Sequence, residues 1–172
     1  MTPSESRAPS AGRASRTTYD RALDMLEARS RSVVELRRML LRKGEPASDV
    51  DAAIERLCGT GLLDDTNYAR QLARSKALGA GQSRRRIAQE LAKKGVARAI
   101  ADAAIADVFA EESVDEAATI ERVARKKMKT LSKLDASTQK RRLYAFLARR
   151  GYDSDAIGKV VGGHARSEAS EA

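Results

Sequence analysis

The residues of this sequence best suited to chemistry are cations set in rows. Arg84-Arg85-Arg86 form one cluster, Arg122 with Arg125-Lys126-Lys127 and Lys129 a second, and Lys140-Arg141-Arg142 a third, with Arg149-Arg150 close behind. Cations held in rows by helices suit a run of phosphates or an acidic protein surface. The same residues could instead form a solvated helix face, where cations in a last turn answer the helix dipole. That account fits Arg42-Lys43, Lys93-Lys94 and Arg149-Arg150, each of which stands just before a glycine. It does not fit Arg84–Arg86, which occupy a first turn, where the dipole opposes positive charge. A partner is therefore expected for those three.

Other chemistries find little support. Asp64-Asp65 follow Gly61-Leu62-Leu63 at the head of a helical pattern, the place for helix caps. No His or Glu stands at a spacing that would make them a general-base pair. Tyr68 shares a helical face with Leu72, and Tyr152 follows a glycine stop, so both read as core instead of stacking residues. Cys58 beside Leu57 reads as an inert packed thiol. His164 falls in the C-terminal tail. Gly158-Lys159 lacks the frame of a phosphate loop. One histidine and one cysteine give too few donors for an ordinary zinc site. No catalytic residue, metal or cofactor is expected, and the protein reads as a binding protein, not an enzyme.

The elements that position the cations are helices. Of 172 residues, 31 are alanine, only 3% are aromatic, and the three prolines (Pro3, Pro9, Pro46) all fall in the first 46 positions. Such a composition favours helix and all but excludes a β-rich fold. No apolar run approaches a membrane span, and the basic N-terminus lacks the apolar stretch of a secretory signal. A single cysteine excludes an internal disulfide, so a soluble, cytoplasmic and monomeric protein is expected. The net charge is +9, and the stretches 81–136 and 137–172 carry +3 each, against +1 for 19–80. An anionic partner met mainly by the later part of the chain is the natural reading.

A pattern recurs along the chain. Ser32, Leu36, Leu40 and Lys43-Gly44 align with Ser83, Ile87, Leu91 and Lys94-Gly95, and both align with Thr138, Leu143, Leu147 and Arg150-Gly151. In each copy a further apolar pair follows the glycine. Each of these glycines is expected in a left-handed conformation at a helix end. Capping boxes are read at Ser32–Glu35 and Ser113–Glu116. The spacing predicts eight helices in an elongated, all-α tandem array of three-helix repeats, helix-turn-helix-like in their short Gly-joined helices. The expected divisions are a disordered tail over 1–16, a leading helix with repeat 1 over 17–80, repeat 2 over 81–132, a truncated repeat 3 over 133–163, and a tail over 164–172. One such unit has a thin core and needs its neighbours.

Four segments carry a family resemblance. They are Arg31-Ser32-x-x-Glu35-Leu36-x-x-x-Leu40-x-x-Lys43-Gly44, Gly61-Leu62-Leu63-Asp64-Asp65-x-x-Tyr68-Ala69, Arg86-Ile87-x-x-Glu90-Leu91-x-x-Lys94-Gly95-Val96, and Phe146-Leu147-Ala148-Arg149-Arg150-Gly151-Tyr152 with Ile157. In this order the chain resembles the RecX family, the bacterial regulators of the RecA recombinase, over roughly 19–162. Two positions depart from the family pattern, Glu45-Pro46 after the first glycine and Ser83 ahead of the second unit. The resemblance implies tandem three-helix repeats and a protein that lodges in the groove of the RecA–DNA filament. It implies inhibition of strand exchange and ATPase and modulation of coprotease activity in DNA repair, recombination and the SOS response. It carries over no catalytic residues. Single- or double-stranded DNA is a further partner, and a helix-turn-helix DNA-binding module acting without RecA stands as the alternative.

Overall fold

The computed structural model describes residues 16–170, with side chains placed through Gly163. The tail read over 1–16 therefore lies, apart from Arg16, outside the described residues. Nine α-helices and one π turn occupy the described residues, with no strand, one helix more than the spacing suggests. They are α1 (Thr18–Ala28), α2 (Val33–Arg42), α3 (Ala47–Gly59), α4 (Asp65–Arg74) running into a π turn at Ser75–Gly79, α5 (Arg84–Lys93), α6 (Arg98–Glu111), α7 (Glu116–Lys129), α8 (Ala136–Arg149) and α9 (Ser154–Ser170).

Local chemistry sets most of the boundaries. Thr17 opens α1 with a reciprocal capping box to Asp20. Asp64 caps α4 by accepting from the backbone N–H groups of Thr66 and Asn67, the role read from its position. Gly44, Gly95 and Gly151 take φ of +85°, +80° and +89°, as helix-ending glycines do. Two boundaries differ from expectation. The box placed at Ser113 is not the cap of α7: Ser113 lies at φ +50° and closes α6, while Asp115 caps α7 through Ala117 N–H. Gly162-Gly163 do not stop α9, which continues through Ser170 into the stretch read as a tail. Glycine inside a helix costs about 1 kcal/mol against alanine but does not forbid it, and neither residue has the positive φ of a helix end.

The helices also group one step earlier than the repeat frame suggests. α1 packs on α3, α4 on α5 and α6, and α7, α8 and α9 on one another. The third group is thus complete, not truncated, and α1 belongs to the first group instead of leading it. The repeated basic-Gly signature marks the middle helix of each group. The first helix of each group has no such signature, so spacing alone cannot assign it. By compactness the chain divides in two: one body holds residues through Arg31 with Glu35–Leu63, the other holds Ser32–Val34 with everything from Asp64 on.

In the first body Ala22, Met25, Leu36, Leu40, Val50, Ala53 and Leu57 are buried. Cys58 is exposed, one position beyond the core residue Leu57, and not packed as read from the sequence. The second body has two cores. Ala69, Ala73 and Ala77 pack with Ala101, Ala104 and Ile105, and Ile87 and Leu91 of α5 complete that core beside them. Tyr68 and Leu72 pack partly buried against its edge. Small residues let α4 and α6 approach closely, and the rows of alanine serve that end. Ile120, Val123, Leu143, Leu147, Tyr152, Ile157 and Val160 form the other core. Burying a Leu or Ile of this kind contributes roughly 1.5–3 kcal/mol.

Candidate functional site

The three cationic clusters meet different fates in the second body. Arg84, Arg85 and Arg86 are engaged inside the chain. The Arg84 backbone N–H donates to Glu116 Oε1 at 2.9 Å, its guanidinium lies 3.6 Å from Glu116 Oε2, and its Cζ sits 4.1 Å above the Phe109 ring. Arg85 Nε donates to the Gly151 carbonyl at 3.1 Å. Arg86 lies 3.3 Å from Glu90. Burial alone would raise the Glu90 carboxyl, but hydrogen bonds from Lys76 and Gln82 and the nearby Arg86 charge bring it below its usual range. Arg84 and Arg85 make these contacts while remaining exposed at the surface.

These contacts belong to a joint between the start of α5 and the end of α8. Ser83 N–H donates to the Arg150 carbonyl at 3.0 Å while its side chain caps α5 at Arg86 N–H. Tyr152 Oη donates to the Gly81 carbonyl at 3.1 Å. A Cβ added at Gly151 would fall 2.5 Å from Arg86 Cβ and 2.6 Å from Ser83 Oγ. The segment Ser32–Val34 meets the end of α5 in the same manner: Ser32 Oγ donates to the Lys94 carbonyl, and a Cβ at Gly95 would fall 2.5 Å from Val34 Cβ. The departure at Ser83 thus supplies both a helix cap and a strut of the joint.

Tyr152 gives a measurable signature of this packing. Burial pushes its phenol up to about 12, with a smaller contribution from Glu116. An unfolded tyrosine ionises near 10. Between about pH 10 and 12 the unfolded chain has lost this proton and the folded chain keeps it, so the contribution is full below pH 10 and declines as pH rises through that window. Absorbance titration should show one tyrosine ionising about two units above the ordinary tyrosine value of about 10, and Tyr152→Phe should abolish that late step. A late step that persists in Tyr152→Phe would assign it to another tyrosine.

The later clusters face solvent. Arg122, Arg125, Lys126 and Lys129 are exposed on α7, at spacings of three and four that place them on one side. Lys140, Arg141 and Arg142 are exposed on α8. None of these seven has a carboxylate partner among the described residues. Lys127 is half-buried, its Nζ 5.5 Å from the centre of the Phe146 ring, and Arg150 stacks on that ring at 4.0 Å. Burial draws the Arg150 guanidinium below its ordinary value. By helical spacing Arg142, Phe146 and Arg149 share the flank of α8 beside α7, whereas Lys140 and Arg141 lie on its other flank. Over 115–161 there are twelve Lys and Arg against six Asp and Glu. Over 19–57 the two signs balance at eight each. Within the described residues no group of His, Cys, Asp and Glu could hold a metal, and no helix is long and apolar enough to cross a membrane.

The grouping in threes is also what known proteins show. Family models for the first, second and third three-helix domains of RecX match residues 19–57, 64–105 and 115–161. The chain belongs to the RecX family. A regulatory protein RecX from Mycolicibacterium vanbaalenii is 38% identical over 81% of this chain and 77% of its own length. One from Mycobacterium avium is 37% identical over 89% of this chain and 88% of its own. Crystal structures share the fold: a regulatory protein RecX at TM-score 0.69 and 22% identity, covering 83% of this chain and 70% of that one, and RecX from Lactobacillus salivarius at 0.64 and 20%, covering 85% and 93%. The relatives are named as regulatory proteins, and the RecX frame of three domains coincides with the packing of α1–α3, α4–α6 and α7–α9.

Proposed function

We propose that this chain is a non-enzymatic regulator that binds RecA–DNA filaments and inhibits recombination and its associated ATP hydrolysis. The family membership supports a regulatory role. The observation that carries the contact surface is the set of exposed cations on α7 and α8, left without carboxylate partners while Arg84–Arg86 are taken up by the joint. Cations kept exposed three and four residues apart repel one another at a cost of a few tenths of a kcal/mol per pair. An anionic partner turns that cost into attraction. The last-turn Lys126 and Lys129 also suit the helix dipole, whereas Arg122 lies outside its reach. On this reading Arg122, Arg125, Lys126, Lys129, Lys140, Arg141 and Arg142 meet filament phosphates or acidic filament surface. Arg84 and Arg85 also tie the second domain to the third through Glu116 and Gly151.

The test is RecA-driven ATP hydrolysis on single-stranded DNA, titrated with this protein at several salt concentrations. Inhibition that weakens as salt rises is expected, because phosphate contacts release counterions. A protein that leaves ATP hydrolysis unchanged at every salt, yet binds naked duplex, would be a helix-turn-helix DNA-binding module acting without RecA.

A further inference from the structure

Three aromatic rings among the described residues lie under a cation. Tyr19 lies under Arg56 at 4.1 Å, Phe109 under Arg84, and Phe146 under Arg150 with Lys127 nearby. Tyr144 differs. It is 45% exposed, the most open aromatic among the described residues, and no cation covers it. Its neighbours Leu143 and Leu147 point into the core of the third domain, so the Tyr144 ring stands on the outer side of α8. Helical side chains lean toward the N-terminus. The ring therefore leans over the turn that carries Lys140 and Arg141, four and three residues earlier, both exposed and without carboxylate partners. Ala148, one turn later, adds no bulk that would crowd the ring.

We infer that Tyr144, Lys140 and Arg141 form a platform for single-stranded nucleic acid, in which an unpaired base stacks on the open ring and the two cations hold flanking phosphates. An aromatic ring beside cations is the arrangement that binds single strands without reading sequence, because every base has a π face. The positive balance of the third domain selects a nucleic acid over a basic or neutral partner. The inference rests on the reading that this face meets nucleic acid, but it needs no recombinase, so the two can fail separately.

The experiment measures affinity of the full chain for fluorescent oligo-dT across salt concentrations, with oligo-rU and duplex DNA as parallel arms. Tyr144→Ala should weaken single-strand binding on the order of tenfold and leave the slope of log affinity against log salt unchanged. Tyr144→Phe should bind like the parent and Tyr144→Leu like Tyr144→Ala, since the ring and not the apolar bulk is required. Lys140→Gln with Arg141→Gln should instead lower the slope by about 1.4, at about 0.7 per contact on a single strand. Duplex affinity should not respond to Tyr144→Ala, because its bases are already stacked. A loss on oligo-dT, on oligo-rU or on both carries the inference and names the strand. An unaltered affinity in Tyr144→Ala, an equal loss on duplex, or no single-strand binding by the parent would overturn it.

Discussion

Gly151→Ala should destabilise this protein by about 3 kcal/mol or more, and Gly44→Ala by only about 1 kcal/mol. Both residues occupy left-handed backbone, at φ +89° and +85°, where any Cβ costs roughly 1–2 kcal/mol. They differ in what the new Cβ meets. At Gly44 nothing lies within 4 Å. At Gly151 it would meet Arg86 Cβ at 2.5 Å, Ser83 Oγ at 2.6 Å and the Arg86 backbone N at 3.0 Å. Arg86 Cβ and the Arg86 backbone N are fixed by the first turn of α5 and cannot rotate away, and moving Ser83 Oγ would break its cap on Arg86 N–H, so overpacking adds about 1–3 kcal/mol. At roughly 3 °C per kcal/mol for a chain of this size, the melting temperature should fall by about 10 °C in one case and about 3 °C in the other. Gly95→Ala should resemble Gly151→Ala, since its Cβ would enter Val34 at 2.5 Å. Equal melting temperatures for the Gly44 and Gly151 variants would mean that the joint at α8 does not hold in solution.

The second large effect separates the two kinds of cation. Replacing Arg122, Arg125, Lys126 and Lys129 together by glutamine should leave thermal stability near that of the parent, because exposed positions of this sort shift it by about 0.5 kcal/mol or less. The same change should flatten the slope of log filament affinity against log salt by about three, at 0.7–0.9 per phosphate contact. Replacing Arg84, Arg85 and Arg86 by glutamate should do the reverse. It sets a carboxylate against Glu116 and takes the donor from the Gly151 carbonyl, so melting should suffer while the slope moves little. If the Arg84–Arg86 variant keeps its melting temperature and loses the slope, those residues face the filament and the assignment is inverted.

Much of this was legible in the sequence. Helix composition, the basic-Gly stops and the Asp64 cap are local signals, and the structure carries each of them. The frame of the triplets was not legible, because α1, α4 and α7 bear no signature of their own and join their groups only through packing. The Arg84–Arg86 cluster shows a second limit. Its unfavourable place at a helix start points to a partner, but sequence cannot say whether that partner is another molecule or the Glu116 and Gly151 that the same chain supplies. Tyr144 belongs to no motif in the sequence, and its exposure follows only once α8 is phased by the buried Leu143 and Leu147. Cys58 was misplaced for the same reason, one residue out of phase with Leu57.

The residue after each stop glycine has a further consequence. In the second and third domains it is apolar or aromatic and buried, Val96 at 5% and Tyr152 at 6% exposure, and Tyr152 reaches back to Gly81. In the first domain it is Glu45, whose carboxylate turns inward to Thr18 and Arg21. Those two hydrogen bonds hold the Glu45 carboxyl below its usual range, the Thr18 bond foremost, against the upward pull of burial. An apolar residue after a stop glycine must be covered to stay out of water, whereas Glu45 is satisfied by hydrogen bonds from the first helix of its own domain. Glu45→Val would give up both bonds, leave the Thr18 hydroxyl and the Arg21 guanidinium without this acceptor, and loosen the seat of α1.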